Sequence, residues 1–185
     1  MFLTHTRQAH VRLGNLDRWE LTEDLVRALA TSSDDDPVEN SIALTYCRMT
    51  REGQESFIEC LQKNRGPTEL DRCSVEPTVL SQALRGNSRL RRLKLGIGGD
   101  HRGLSEVFNG LSENKGLEYL SLPTHCEFID DSMDNLCQAL RTHPTLETLI
   151  LPVYNLSDVA FSRQVKKQRI CMLEDLHVQY GVAYN

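Results

Sequence analysis

A phrase of sixteen residues, written three times between Leu80 and Leu151, restricts this chain more than any other feature. It first runs Leu80-Ser-Gln-Ala83-Leu84-Arg-Gly-Asn87-Ser-Arg-Leu90-Arg-Arg-Leu93-Lys-Leu95. It returns from Val107 through Gly110, Leu111, Asn114, Leu117 and Leu120 to Leu122. The third copy runs from Leu136 through Ala139, Leu140, His143, Leu146 and Leu149 to Leu151. Self-similarity of this kind marks a repeat architecture, in which one unit cannot bury its apolar face alone and stacks on the next. The first half of the phrase spaces its apolar residues by four, which puts them on one face of a helix. The second half alternates with period two, the signature of a half-buried strand. The small residue before the second helical leucine (Ala83, Gly110, Ala139) lets each helix lie close to its neighbour.

Used as a ruler, the phrase brings the rest of the chain into register. Helical halves end at Leu29, Leu61, Leu84, Leu111, Leu140 and Val165, each four residues after Leu25, Phe57, Leu80, Val107, Leu136 or Phe161. Strand halves end at Leu13, Leu44, Val75, Leu95, Leu122, Leu151 and Val178. Their partners two residues earlier are Val11, Ile42, Cys73, Leu93, Leu120, Leu149 and Leu176. The successive intervals are 31, 31, 20, 27, 29 and 27 residues. The short third unit leaves room for only a brief helix, and Pro77 suits its first position, where a missing N–H costs nothing. Asn64, Asn87 and Asn114, with Ser32 and His143, fall just past the helices, where a left-handed residue is expected to close each one.

The chain of 185 residues is long enough for a sizeable core and reads as one domain, 1–185. Its net charge of −5 points away from nucleic acid and from anionic membranes as partners. Aromatic residues make up only 6%, so the core must be built from aliphatic side chains. The N-terminus lacks the apolar stretch of a secretory signal, and no apolar run is long enough to span a bilayer. The sequon Asn155-Leu156-Ser157 is then accidental. Six cysteines, at 47, 60, 73, 126, 137 and 171, form no Cys-x-x-Cys pair, which fits reduced thiols in a cytoplasmic protein.

Signals for chemistry are weak. Gly96-Ile-Gly-Gly-Asp100 lacks the Gly-Lys-Ser/Thr ending of a phosphate-binding loop. The six histidines have no zinc-like spacing, and Asp34-Asp35-Asp36 lacks the spacing and glycine of a calcium loop. We therefore expect no cofactor, no metal and no catalytic residue. The four basic residues of Arg89-Leu-Arg-Arg-Leu-Lys94 are interrupted by leucines on core positions, which weakens a nucleic-acid or nuclear-import reading.

These residues resemble leucine-rich-repeat proteins of the ribonuclease-inhibitor type. Their units run Leu-x-x-Leu-x-Leu-x-x-Asn/Cys, then Leu-x-x-Ala-Leu-x-x-Asn-x-x-Leu. Residues 80–151 match this pattern closely and residues 8–178 loosely. The buried Asn/Cys position departs from it: Cys47 fits, but Thr78, Gly98, His125 and Tyr154 stand there in other units. The resemblance implies an α/β fold, a short right-handed solenoid with parallel strands on the concave side and helices on the convex side. Either the chain is a whole small protein with improvised ends or it is part of a longer array. Uncapped ends would leave a monomer or a weak dimer.

In such a fold the non-leucine strand residues face the concave groove. The candidate partner-binding residues are then Arg72, Arg91, Arg92, Lys94, Tyr119, Glu147, Ile150, Asp175, His177 and Tyr180. They describe a groove with a basic middle and a more acidic far end. The expected function is non-enzymatic binding of a protein or peptide. The alternatives are a substrate-recognition arm of an enzyme complex, such as a ubiquitin ligase or a host-targeted effector, and a tropomodulin-like cytoskeletal cap.

Overall fold

A computed structural model describes residues 10–14, 20–31, 41–96, 103–123, 130–152 and 177–181. Seven strands form one sheet: β1 (His10–Gly14), β3 (Ser41–Thr45), β5 (Glu69–Asp71), β6 (Arg92–Lys94), β7 (Tyr119–Ser121), β8 (Thr148–Pro152) and β9 (His177–Gly181). They lie side by side in chain order, and every neighbouring pair is parallel. Helices α1 (Glu23–Thr31), α2 (Arg51–Gln62), α3 (Pro77–Leu84), α4 (Leu104–Ser112) and α5 (Asp130–Thr142) connect successive strands from β1 to β8. Each helix packs on the next, so the five form a continuous layer. The chain is therefore α/β with a parallel sheet. A second, two-stranded parallel sheet pairs β2 (Glu20–Leu21) with β4 (Arg48–Met49).

The core lies between strands and helices. Leu13, Leu44, Leu70, Leu93, Leu120, Leu149 and Val178 stand directly opposite one another across the sheet. Leu44, Leu70, Leu93, Leu120 and Leu149 are almost wholly buried. Phe57, Leu61, Leu84, Phe108, Leu111, Leu136 and Leu140 meet them from the helices. Burying one such leucine stabilises by roughly 1.5–3 kcal/mol. The four-residue spacing holds in α2 to α5. In α1 it does not: Leu25 is exposed and Val26 is the buried residue. α1 packs mainly on α2, with Val26 facing the core.

The third strand lies earlier than its alternation suggests. Cys73 and Val75 were expected on it, yet β5 is Glu69–Asp71 and Leu70 takes the core position. The reason is a left-handed residue at the end of each of two strands. Tyr46 and Arg72 both have φ of 53°, an uncommon conformation for residues with a Cβ. One such residue breaks the period-two pattern, so Cys47 and Cys73 turn back toward the core after it. Cys73, not Thr78, thus occupies the position of Cys47 in the next unit. Leu13, Leu44 and Val178, rather than Val11, Ile42 and Leu176, share the row of Leu93. Counted along that row, the intervals become 31, 26, 23, 27, 29 and 29 residues.

The asparagines past the helices do more than close them. Asn64 is left-handed (φ 55°), but in the next unit the left-handed residue is Gly86 and not Asn87. Asn87 is fully buried. Its Nδ2 donates to the Leu61 carbonyl at 2.6 Å, and its Oδ1 accepts from the N–H groups of Arg89 (3.1 Å) and Leu90 (2.8 Å). Asn114 repeats this one unit later, donating to Leu84 O and accepting from Gly116 N and Leu117 N. Each amide ties the end of one helix to the start of a strand in the next unit. His143 occupies the same place after α5. Its Nδ1 accepts from Thr145 N at 3.4 Å, while its buried Nε2 has no hydrogen-bond partner. Burial lowers its pKa to about 4.

The expected features at Ser32, Asp34–Asp36, the 97–100 loop, His125, Tyr154, Phe161, Val165 and Asn155–Ser157 lie outside the described residues.

Candidate functional site

Along each strand, the residues flanking the core leucine point to the opposite side of the sheet. Two rows of opposed backbone positions result; their side chains reach solvent from β5 to β8, whereas Ala43 on β3 is fully buried. One runs Ala43, Glu69, Arg92, Tyr119, Thr148 and His177; the other runs Thr45, Asp71, Lys94, Ser121, Ile150 and Gln179.

The basic middle read from the sequence does not stand alone. Lys94 Nζ lies 2.8 Å from Asp71 and 3.9 Å from Glu69, and Arg92 Nε lies 3.9 Å from Glu69. Two acids and two bases meet there, so the centre of the face is close to neutral. Glu69 was missed because the core position of the third strand was placed three residues too late, at Cys73 instead of Leu70. Its signal was Leu70, which falls 23 residues before Leu93 and so keeps the repeat more even than Cys73 does.

Arg92 also stacks on the neighbouring strand, its guanidinium carbon 4.2 Å from the centre of the Tyr119 ring. A second stack sits beyond the strand ends. Arg72 lies 5.5 Å from the centre of the Tyr46 ring and donates a hydrogen bond to the Tyr46 hydroxyl. The shared left-handed backbone puts these two residues in equivalent places. Tyr46 is one of two large apolar side chains exposed among the described residues.

Arg91 and Glu147 stand apart from the rows. With Glu118 they occupy the residues just before β6, β7 and β8. Arg91 pairs with Glu118 at 2.9 Å and also donates to Gly116 O at 3.3 Å. Glu147 is exposed next in line. Arg89 contributes nothing to a basic surface: it is buried, with Nε donating to Gly66 O at 2.8 Å. His177 falls opposite Thr148 in the row of Arg92, but Tyr180 falls opposite Leu151, out of both open-face rows. Asp175 lies outside the described residues.

A cavity of about 710 Å³ opens past the C-terminal ends of β5 and β6. Val75, Leu80, Leu104 and Val107 give it apolar walls, and Arg48, Gln54 and Glu76 add polar groups. Among the described residues no group of three or more His, Cys, Asp or Glu side chains could hold a metal ion, and no helix is long and apolar enough to cross a membrane. No protein-family model matches the sequence, and no curated protein matches it in comparison.

Proposed function

We propose that this chain is a short leucine-rich-repeat solenoid of the ribonuclease-inhibitor-like type, and that it works as a non-enzymatic interaction module. The open face, concave in such a solenoid, takes a protein or peptide partner. The repeated phrase and the all-parallel sheet in chain order support the architecture. The observation that carries the function is the pair of arginine–tyrosine contacts, Arg92 with Tyr119 on the strands and Arg72 with Tyr46 just past the strand ends. Arginine and aromatic side chains are the usual anchors of protein interfaces. Stacking holds these before binding, so less side-chain freedom is lost on contact. The neutral centre around Lys94 suits a partner with mixed charge, and Ile150 adds apolar surface two strands on. The six cysteines form no Cys-x-x-Cys pair, which supports a reducing, cytoplasmic setting.

The test uses a photo-crosslinking residue at Tyr119, at Ile150 or at Glu55 on the exposed side of α2. Crosslinks in cell extract from the first two positions, and none from the third, are expected. For the captured partner, Arg72→Ala, Arg92→Ala and Tyr119→Ala should each weaken binding about tenfold or more, with unchanged circular dichroism. Crosslinking only from α2, or full affinity in all three variants, overturns the proposal.

A further inference from the structure

Two cysteines from adjacent units meet just beyond the sheet. Arg48 and Ser74 form a parallel bridge, and Ser74 N donates to Cys47 O at 2.8 Å. Cys47 and Cys73, each one residue earlier, therefore face each other across neighbouring chain segments. Parallel neighbours lie roughly 4.8 Å apart, within the Cα separation of about 4.4–6.8 Å that a disulfide spans. The Cys73 thiol reaches back over the gap to the Leu44 carbonyl at 3.3 Å, and the Cys47 thiol lies 3.5 Å from Thr45 O. The two sulfurs also hydrogen-bond to each other.

We infer that Cys47 and Cys73 form a redox-active dithiol, which a hydroperoxide converts into a disulfide joining the second and third units.

Access and chemistry both support this. Cys47 is fully buried, but Cys73 is only partly buried and lines the cavity past β5 and β6. A small oxidant in that cavity reaches the Cys73 sulfur first. The hydrogen bond from Cys73 lowers the Cys47 pKa, while the same bond, with burial, raises that of Cys73. The pair thus loses one proton more readily than the second. At rest the anion is on Cys47 and the proton on Cys73. In the reaction that proton passes along the hydrogen bond to Cys47 as the Cys73 sulfur attacks the peroxide. The O–O bond breaks, and the leaving alkoxide or hydroxide takes a proton from water. The Cys73 sulfenic acid is then attacked by Cys47. The S–S bond forms, the S–O bond breaks, and the departing hydroxide leaves as water with the Cys47 proton. Two thiols are oxidised, and one peroxide is reduced to an alcohol (or water) and water. Cys60 and Cys137 are buried.

The test is a peptide map of the folded, reduced protein after brief hydrogen peroxide treatment and alkylation of the remaining thiols. The expected product is the Cys47 peptide joined to the Cys73 peptide, with a mass loss of two hydrogens, restored by dithiothreitol. In Cys47→Ser, Cys73 should instead progress to the sulfinic acid, because its resolving partner is gone. The wild-type map decides the matter even if that variant folds poorly. A wild-type map with both thiols still alkylated, with Cys73 over-oxidised and unlinked, or with either cysteine joined elsewhere overturns the inference.

Discussion

Asn87 makes three hydrogen bonds from a position with no solvent contact, and that makes it one of the costliest polar side chains to remove. Asn87→Ala strips two main-chain N–H groups of their acceptor inside the core. We expect a loss of about 2–4 kcal/mol, read as a lower midpoint in urea denaturation. His143 stands in the same place with one hydrogen bond instead of three, and its depressed pKa makes its burial visible in pH. The unfolded histidine binds a proton near pH 6.5, whereas the folded one resists until about pH 4. Stability from the neutral imidazole is present above pH 6.5 and is lost as pH falls through the window from 6.5 to 4. Because the ring is only half-buried, the loss between pH 7 and pH 5 should be about 1 kcal/mol. His143→Asn should remove that part of the pH dependence, as two denaturation curves at each pH will show. An Asn at these places was legible in the sequence, but its role was not. A left-handed cap and a buried bridge favour the same residue, and only the partners across the unit boundary separate them.

At the scale of elements, the helices were the most legible part. Pro77 begins α3 as its fixed φ suggests, and α2 begins at a Thr50 cap whose Oγ1 accepts from Gly53 N at 3.0 Å. The small-residue position also has a clear physical basis at Gly110. A Cβ there would come within 2.4 Å of Ser81 O and 2.7 Å of Ser81 Cα, so α4 crosses α3 at backbone contact. Gly110→Ala should force the two helices apart and destabilise by about 1–3 kcal/mol, although alanine has the better helix propensity. Thermal unfolding followed by circular dichroism checks this; a stability gain would mean that propensity outweighs the contact. The third strand was not legible, because alternation of side chains is blind to a backbone that changes hand. Tyr46 and Arg72 carry no glycine or asparagine to announce the left-handed conformation, so the pattern was followed three residues past the true core position.

At the middle of the sheet, charges on neighbouring units neutralise each other. Glu69 and Asp71 of β5 face Arg92 and Lys94 of β6, and Arg91 faces Glu118 across the next junction. Sequence order alone shows a basic run, because its partners lie more than twenty residues away. The double variant Arg92→Glu with Lys94→Glu would gather four acids on adjacent strands. We expect it to lower stability at low ionic strength and to recover part of the loss at high salt, where such repulsion is screened. A loss that salt does not change would show that packing against Tyr119 dominates.

The order of the strands has a consequence in time. Within the seven-stranded sheet each strand pairs with the one before and the one after it in sheet order, so the loops closed range from 23 residues, between Leu70 and Leu93, to 31, between Leu13 and Leu44. No pairing has to await a distant segment. A parallel sheet is ordinarily slow to assemble because its contacts are remote in sequence. Here the first units can dock while the later ones are still being synthesised, and each finished strand offers its edge to the next one to emerge.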